Sequence, residues 1–116
     1  MARKSPERLL ADQRTEVQHR IESLQRHLTS IVESATWTSN DDEHDPEGVT
    51  IAYERAQTQG LLTDAKADLE ALDEAVRRVE DGTYGQCQRC GKRITRERLE
   101  ALPAAKLCIR CTSARR

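Results

Sequence analysis

Four cysteines confined to 25 residues near one end of a 116-residue chain constrain its fold more than any other feature. They form two CxxC pairs, Cys87 with Cys90 and Cys108 with Cys111, in the stretch YGQCQRCGKRITRERLEALPAAKLCIRCTS. A CxxC turn lets two thiolates reach one ion, and two such turns complete a tetrahedral shell of four sulfurs. Seventeen residues separate Cys90 from Cys108, within the roughly 15–20 of the four-cysteine zinc pattern. Gly91, directly after the first pair, suits a knuckle whose backbone amides turn toward the sulfurs. With four protein ligands no position is left for water or substrate, so the expected ion is structural, one zinc per chain. Iron satisfies the same donor set. Buried apolar thiols and a thioredoxin-like redox pair are the competing readings. The redox pair needs a βαβ pattern, and no strand pattern is visible in the sequence.

The redox setting agrees with metal ligation. No apolar run approaches membrane-spanning length, and MARKSPERLL lacks the apolar segment of a secretory signal. A cytoplasmic protein with no membrane association is expected, where structural thiols stay reduced.

The cysteine-free part reads as two helices. Ser5-Pro6-Glu7 is a helix start, with a hydroxyl cap, proline at the first helical position and an acid in the first turn. Leu10, Val17, Leu24 and Ile31 recur every seven residues, interleaved with Arg14, Ile21, Leu28 and Ala35, and only Arg14 breaks the seam. No proline or glycine interrupts Glu7 to Trp37, a helix of roughly 45 Å at about 1.5 Å per residue. The turn formers of TWTSNDDEHDPEGVT then reverse the chain. A second helix is expected from near Thr50, with Leu62, Ala65, Leu69, Leu72, Val76 and Val79 on its seam and a weaker start at Ile51, Arg55 and Thr58. Gly82 suits the left-handed position after its end. The expected fold is all-α: an antiparallel coiled-coil hairpin over residues 1–81, with its tip at 38–49, and a small four-cysteine zinc-finger head over 82–116. A two-helix hairpin buries one narrow seam and needs a clamp at its open end. The absence of Phe, with one Trp and two Tyr, fits an elongated module without a large core.

The stretch from Cys87 to Cys111, with Ile94, Arg98 and Pro103 between the pairs, closely resembles the zinc-finger signature of the DksA/TraR family. The resemblance extends to EDGTYGQC before it and to the preceding helical hairpin. It implies a bacterial transcription factor that binds RNA polymerase, inserting its hairpin into the secondary channel with an acidic tip near the catalytic centre. The family tip carries D-x-x-D-x-A. Here the corresponding stretch is Asp45 to Thr50, in which only Asp45 matches; Gly48 and Thr50 replace the second Asp and the Ala. Asp42 and Asp45 form an Asp-x-x-Asp in another register. The family's N-terminal extension and long C-terminal helix have no counterpart, and contacts to ppGpp draw on such regions, so ppGpp dependence is not expected. Arg98, part of the signature, is expected to hold the finger against the hairpin.

Charge divides along the chain. Residues 1–80 carry 10 basic and 17 acidic groups, net −7, and residues 81–116 carry 9 and 3, net +6. Five of the seven residues from Asp41 to Glu47 are acidic. A solvated turn is the plain reading. Like charges crowded into one turn repel, however, which points to Asp42, Asp45 and Glu47 as partner-binding residues, with Trp37 beside them. Trp37 is expected mainly to cover the end of the seam, with Tyr53 near it, and His19 and His27 to be solvated. The basic head supports a rival reading, a nucleic-acid-binding zinc finger with a coiled-coil dimerisation arm. Against it, the head has one aromatic, Tyr84, and no pattern of two cysteines followed by two histidines, and cations near a zinc-thiolate centre offset its negative charge. A zinc-stapled adaptor is a third class. The expected function is a monomeric transcription regulator without enzymatic activity and without sequence-specific DNA binding.

Overall fold

The computed structural model describes residues 3–38 and 46–114. Four helices follow in order: α1 (Pro6–Thr38), α2 (Pro46–Asp81), α3 (Arg96–Ala101) and α4 (Ile109–Ser113). α1 and α2 form the expected coiled-coil hairpin. None of the helices is long and apolar enough to cross a membrane.

The ends of α1 and α2 are set locally. Arg8 N donates to Ser5 Oγ at 3.2 Å and Leu9 N to Ser5 O at 3.0 Å, so Ser5 caps α1. Lys4 Nζ lies 2.8 Å from Asp12, and this hydrogen bond, with the Arg8 charge, holds the Asp12 carboxyl below its usual range. At the end of α2, Gly82 takes φ +80°. Gly82 N donates to Val79 O at 3.2 Å and Thr83 N to Arg78 O at 2.9 Å, the paired bonds of a Schellman cap, in which glycine avoids the Cβ clash of the left-handed region.

α2 begins at Pro46, four residues before the expected start at Thr50. Proline fixes φ near the helical value at the first position. A glycine inside a helix costs only about 1 kcal/mol, so Gly48 does not prevent an early start.

The chain forms two compact units. One comprises residues 17–68. Its buried positions are Val17 and Ile31 on α1 and Thr58, Leu62 and Ala65 on α2, with Ile21, Leu24, Leu28, Ala35 and Ile51 half-buried. Arg20 Nη1 lies 3.7 Å from Asp68 Oδ2 and His27 Nε2 lies 3.0 Å from Glu54 Oε1. Rising numbers on α1 meet falling numbers on α2, so the segments run antiparallel. His27 therefore has a carboxylate partner that sequence reading missed. Tyr53 is 71% exposed and stands off the stripe of Ile51, Thr58 and Leu62.

The other unit combines the start of α1, the end of α2 and the cysteine head. Leu10, Leu72 and Ala75 are buried in it. Arg14, the break in the seam, is half-buried, its Nε 2.8 Å from Asp73 Oδ1 without the N–H being aimed at the carboxylate. Near the end of α2 burial rotates from the expected Val76 and Val79, both half-buried, to Ala75 and Arg78, at 0% and 8% exposure.

Candidate metal centre

The first CxxC sits on a short antiparallel turn. Cys87 N donates to Lys92 O at 2.8 Å, Ile94 N to Gly85 O at 2.7 Å, and Gln86 bridges Arg93. Gly91, at φ +78°, closes the knuckle by donating to Cys87 O at 2.9 Å. The second CxxC opens α4, where Thr112 N donates to Cys108 O at 3.0 Å.

Between them runs the segment 103–107, held by donors from four places. Tyr84 Oη donates to Pro103 O at 2.8 Å and Arg78 Nη2 to Ala104 O at 3.3 Å. Gln88 N donates to Lys106 O at 2.9 Å and Arg98 Nε to Leu107 O at 3.0 Å. These bonds bring the second pair to the first. Arg98 also donates to Thr112 Oγ1 at 3.1 Å. The expected role of Arg98 is thus corrected. Its bonds stay within the head and lock the approach to Cys108 and the α4 turn, because α3 aims it at those acceptors. The reach from hairpin to head belongs to Arg78, which sequence reading passed over; Tyr84, itself in the head, holds the same loop from within it. Burial pushes the Tyr84 phenol above its usual range, opposed by the nearby Arg78 charge. The signal available in the sequence was an arginine one turn before a helix end.

The four Sγ atoms lie within 4.8 Å of one another, and Cys90 Sγ is 3.7 Å from Cys108 Sγ. A tetrahedral shell with Zn–S of about 2.3 Å has S···S edges of about 3.8 Å, so the cluster has the size of one zinc ion's shell. No disulfide joins these cysteines. Their electrostatics suit a cation. The backbone N–H of Cys90, ahead of those of Cys108 and Arg89, pulls the Cys87 thiol down to about 6. Backbone hydrogen bonding from Cys111 lowers Cys108 likewise. Desolvation and the neighbouring sulfurs push Cys111 up to about 12. The fold stabilises some thiolates and makes them repel the next one; a divalent ion removes the conflict. Donor set, spacing and electrostatics fit a single structural zinc.

Comparison with known proteins agrees with this geometry. The prokaryotic dksA/traR C4-type zinc finger matches residues 82–115. The solved structure of transcription factor DksA2 from Pseudomonas aeruginosa superposes with a TM-score of 0.75 at 34% identity, covering 90% of this chain and 75% of that one. The chain belongs to the DksA/TraR zinc-finger family. General stress protein 16O of Bacillus subtilis is 29% identical over 109 residues, 87% of this chain and 67% of the relative. RNA polymerase-binding transcription factor DksA of Escherichia coli is 42% identical over 43 residues, 37% of this chain and 28% of the relative. The match thus spans about two thirds of the stress protein and under a third of that DksA.

Within the DksA/TraR frame, the sequence-derived sites fare unequally. Cys87, Cys90, Cys108 and Cys111 come together. Asp42 and Asp45 lie outside the described residues; Trp37 falls in the last turn of α1 and Glu47 in the first turn of α2. Of the basic head residues, Arg89, Lys92, Arg93, Arg96, Lys106 and Arg110 are exposed, Arg98 is half-buried, and Arg115 and Arg116 lie outside the described residues.

Proposed function

We propose that this chain is a transcription regulator that binds RNA polymerase through its secondary channel. The observation that carries the reading is the likeness, across nine-tenths of the chain, to a solved transcription factor. Residues 1–81 serve as the reaching arm and residues 82–116 as the head. One zinc held by Cys87, Cys90, Cys108 and Cys111 braces the head, and Arg78 carries that bracing into the base of the hairpin. The acids Asp42, Asp45 and Glu47, with Trp37 beside them, act at the arm's tip near the catalytic centre. There, hard carboxylate oxygens suit Mg2+ or its basic surroundings.

Two measurements on purified bacterial polymerase test this: affinity for the chain, and initiation in vitro. Replacing Asp42 and Asp45 together with Asn keeps size and turn propensity and removes two charges. Affinity should weaken modestly while the effect on initiation is largely lost, with Asp45→Asn the more damaging single change. No polymerase binding, together with submicromolar sequence-selective DNA binding by the head, would transfer the function to the rival nucleic-acid reading. An intact effect on initiation in the double variant would reduce the acids to a solvated turn.

A further inference from the structure

The head-and-base unit carries a groove of about 390 Å³ where the start of α1 meets the first cysteine turn and α3. Its lining combines two chemistries. Leu9, Ile94, Leu99 and the Tyr84 ring supply apolar surface. Ile94 is 4% exposed, and Leu99 and Leu9 are half-buried. Arg3, Lys4, Arg93 and Arg96 supply four cations, against the single acid Glu100. Lys4 is committed to Asp12 at 2.8 Å. Among the described residues, Arg3, Arg93 and Arg96 make no side-chain ion pair, although all three are exposed and the chain holds 20 carboxylates.

Among the described residues, no zinc ligand and no tip residue lines this groove, although Tyr84, Gly85, Arg93 and Ile94 on its wall also shape the first cysteine turn and its clamp. None of its lining residues is a cysteine or one of the clamp arginines Arg78 and Arg98. Guanidinium groups around an apolar floor select a ligand with both parts. Planar guanidinium matches carboxylate or phosphate in two-point hydrogen bonds, and the floor gains from burying an apolar side chain. A nucleic-acid backbone would use the rim, leave the floor unfilled and meet Glu100. We infer that this groove is a docking site for an acidic segment of a protein partner, one that seats an apolar side chain on Leu9, Ile94 and Leu99 between carboxylates paired to Arg3, Arg93 and Arg96. The surface is separate from the polymerase contacts proposed for the hairpin tip, and its test needs no polymerase.

The probe is a capped peptide of two leucines flanked on each side by two glutamates, titrated into the isotope-labelled full chain at low salt and followed by amide chemical shifts. Shifts should localise to Gly85, Ile94 and Leu99 and their neighbours. Arg93→Glu with Arg96→Glu should weaken binding about tenfold or more. Both side chains are exposed, and an acid at Arg96, the first residue of α3, suits a helix start, so zinc content and the thermal transition should hold. Replacing the leucines by serines should weaken binding several-fold, and raised salt should weaken both peptides. Three results would each overturn the assignment: a serine peptide that binds as well as the leucine one, binding indifferent to the double charge reversal, or tighter binding of tripolyphosphate or an oligothymidylate. The last would make the groove a phosphate site.

Discussion

The unit of residues 17–68 and the unit of head and base draw on the same two long helices but are held by different means. Residues 17–68 repeat one device, an apolar position every three or four residues with exposed ion pairs such as Arg20–Asp68 alongside. Each repeat is small and replaceable. The head and base use singular devices: three turns each with a left-handed glycine, four clustered thiols and a loop whose carbonyls at 103, 104, 106 and 107 each take a donor from elsewhere. A repeated seam degrades gradually when one position changes. A clamp built from unlike parts fails when one part is removed.

Metal removal should expose this contrast most. Structural zinc in finger peptides is worth about 10–16 kcal/mol, comparable to the roughly 5–15 kcal/mol of a whole domain. Chelation, or Cys108→Ser, should abolish hydrogen-exchange protection over residues 82–114 while residues 17–68 keep much of theirs. Equal loss in both regions, or an unchanged head, would erase the distinction. In the seam, Leu62→Ala should cost about 2–5 kcal/mol by urea unfolding, since Leu62 is 4% exposed. It should leave zinc affinity near that of the parent chain, and a matching fall in zinc affinity would show the two regions to be one cooperative body.

Arg98→Ala removes two charge-assisted bonds, to Leu107 O and Thr112 Oγ1. A loss of about 1.5–3 kcal/mol is expected, with zinc leaving faster under chelator competition. A zinc off-rate unchanged from the parent would show that Arg98 does not position the second cysteine pair. Tyr84→Phe should cost about 0.5–1.5 kcal/mol through the bond to Pro103 O. Because burial raises the folded-state value for Tyr84, its contribution is complete below the unfolded value of about 10 and is lost as pH rises through the higher folded value. Unfolding at pH 9 and pH 11 should therefore differ more in the parent than in Tyr84→Phe. Equal differences would place the alkaline loss elsewhere. The smallest effect should come from Arg20→Gln, whose pair with Asp68 is 3.7 Å long between side chains 46% and 61% exposed; about 0.2–1 kcal/mol, fading with salt, is expected. A larger cost would mean that the 17–68 unit also depends on singular contacts.

Much of this architecture is local chemistry and could be read directly from the chain. The seven-residue period from Leu10 to Ile31 dictates which face of α1 is apolar, Ser5 and Gly82 mark helix ends through their own backbone preferences, and each CxxC turn brings its own two thiolates together whatever surrounds it. Helix hydrogen bonds close over four residues, so such features need no distant partner. Tertiary structure decided the rest. Burial falls on Ala75 and Arg78 rather than on Val76 and Val79, and Arg78 turns inward because its guanidinium finds Ala104 O in the 103–107 loop. Arg98 serves the head and Arg78 the hairpin-to-head link, a division set by which carbonyl each guanidinium meets across 9 and 26 residues of sequence. A long, flexible cation is specified by its acceptor, and the acceptor is placed only once remote segments have packed.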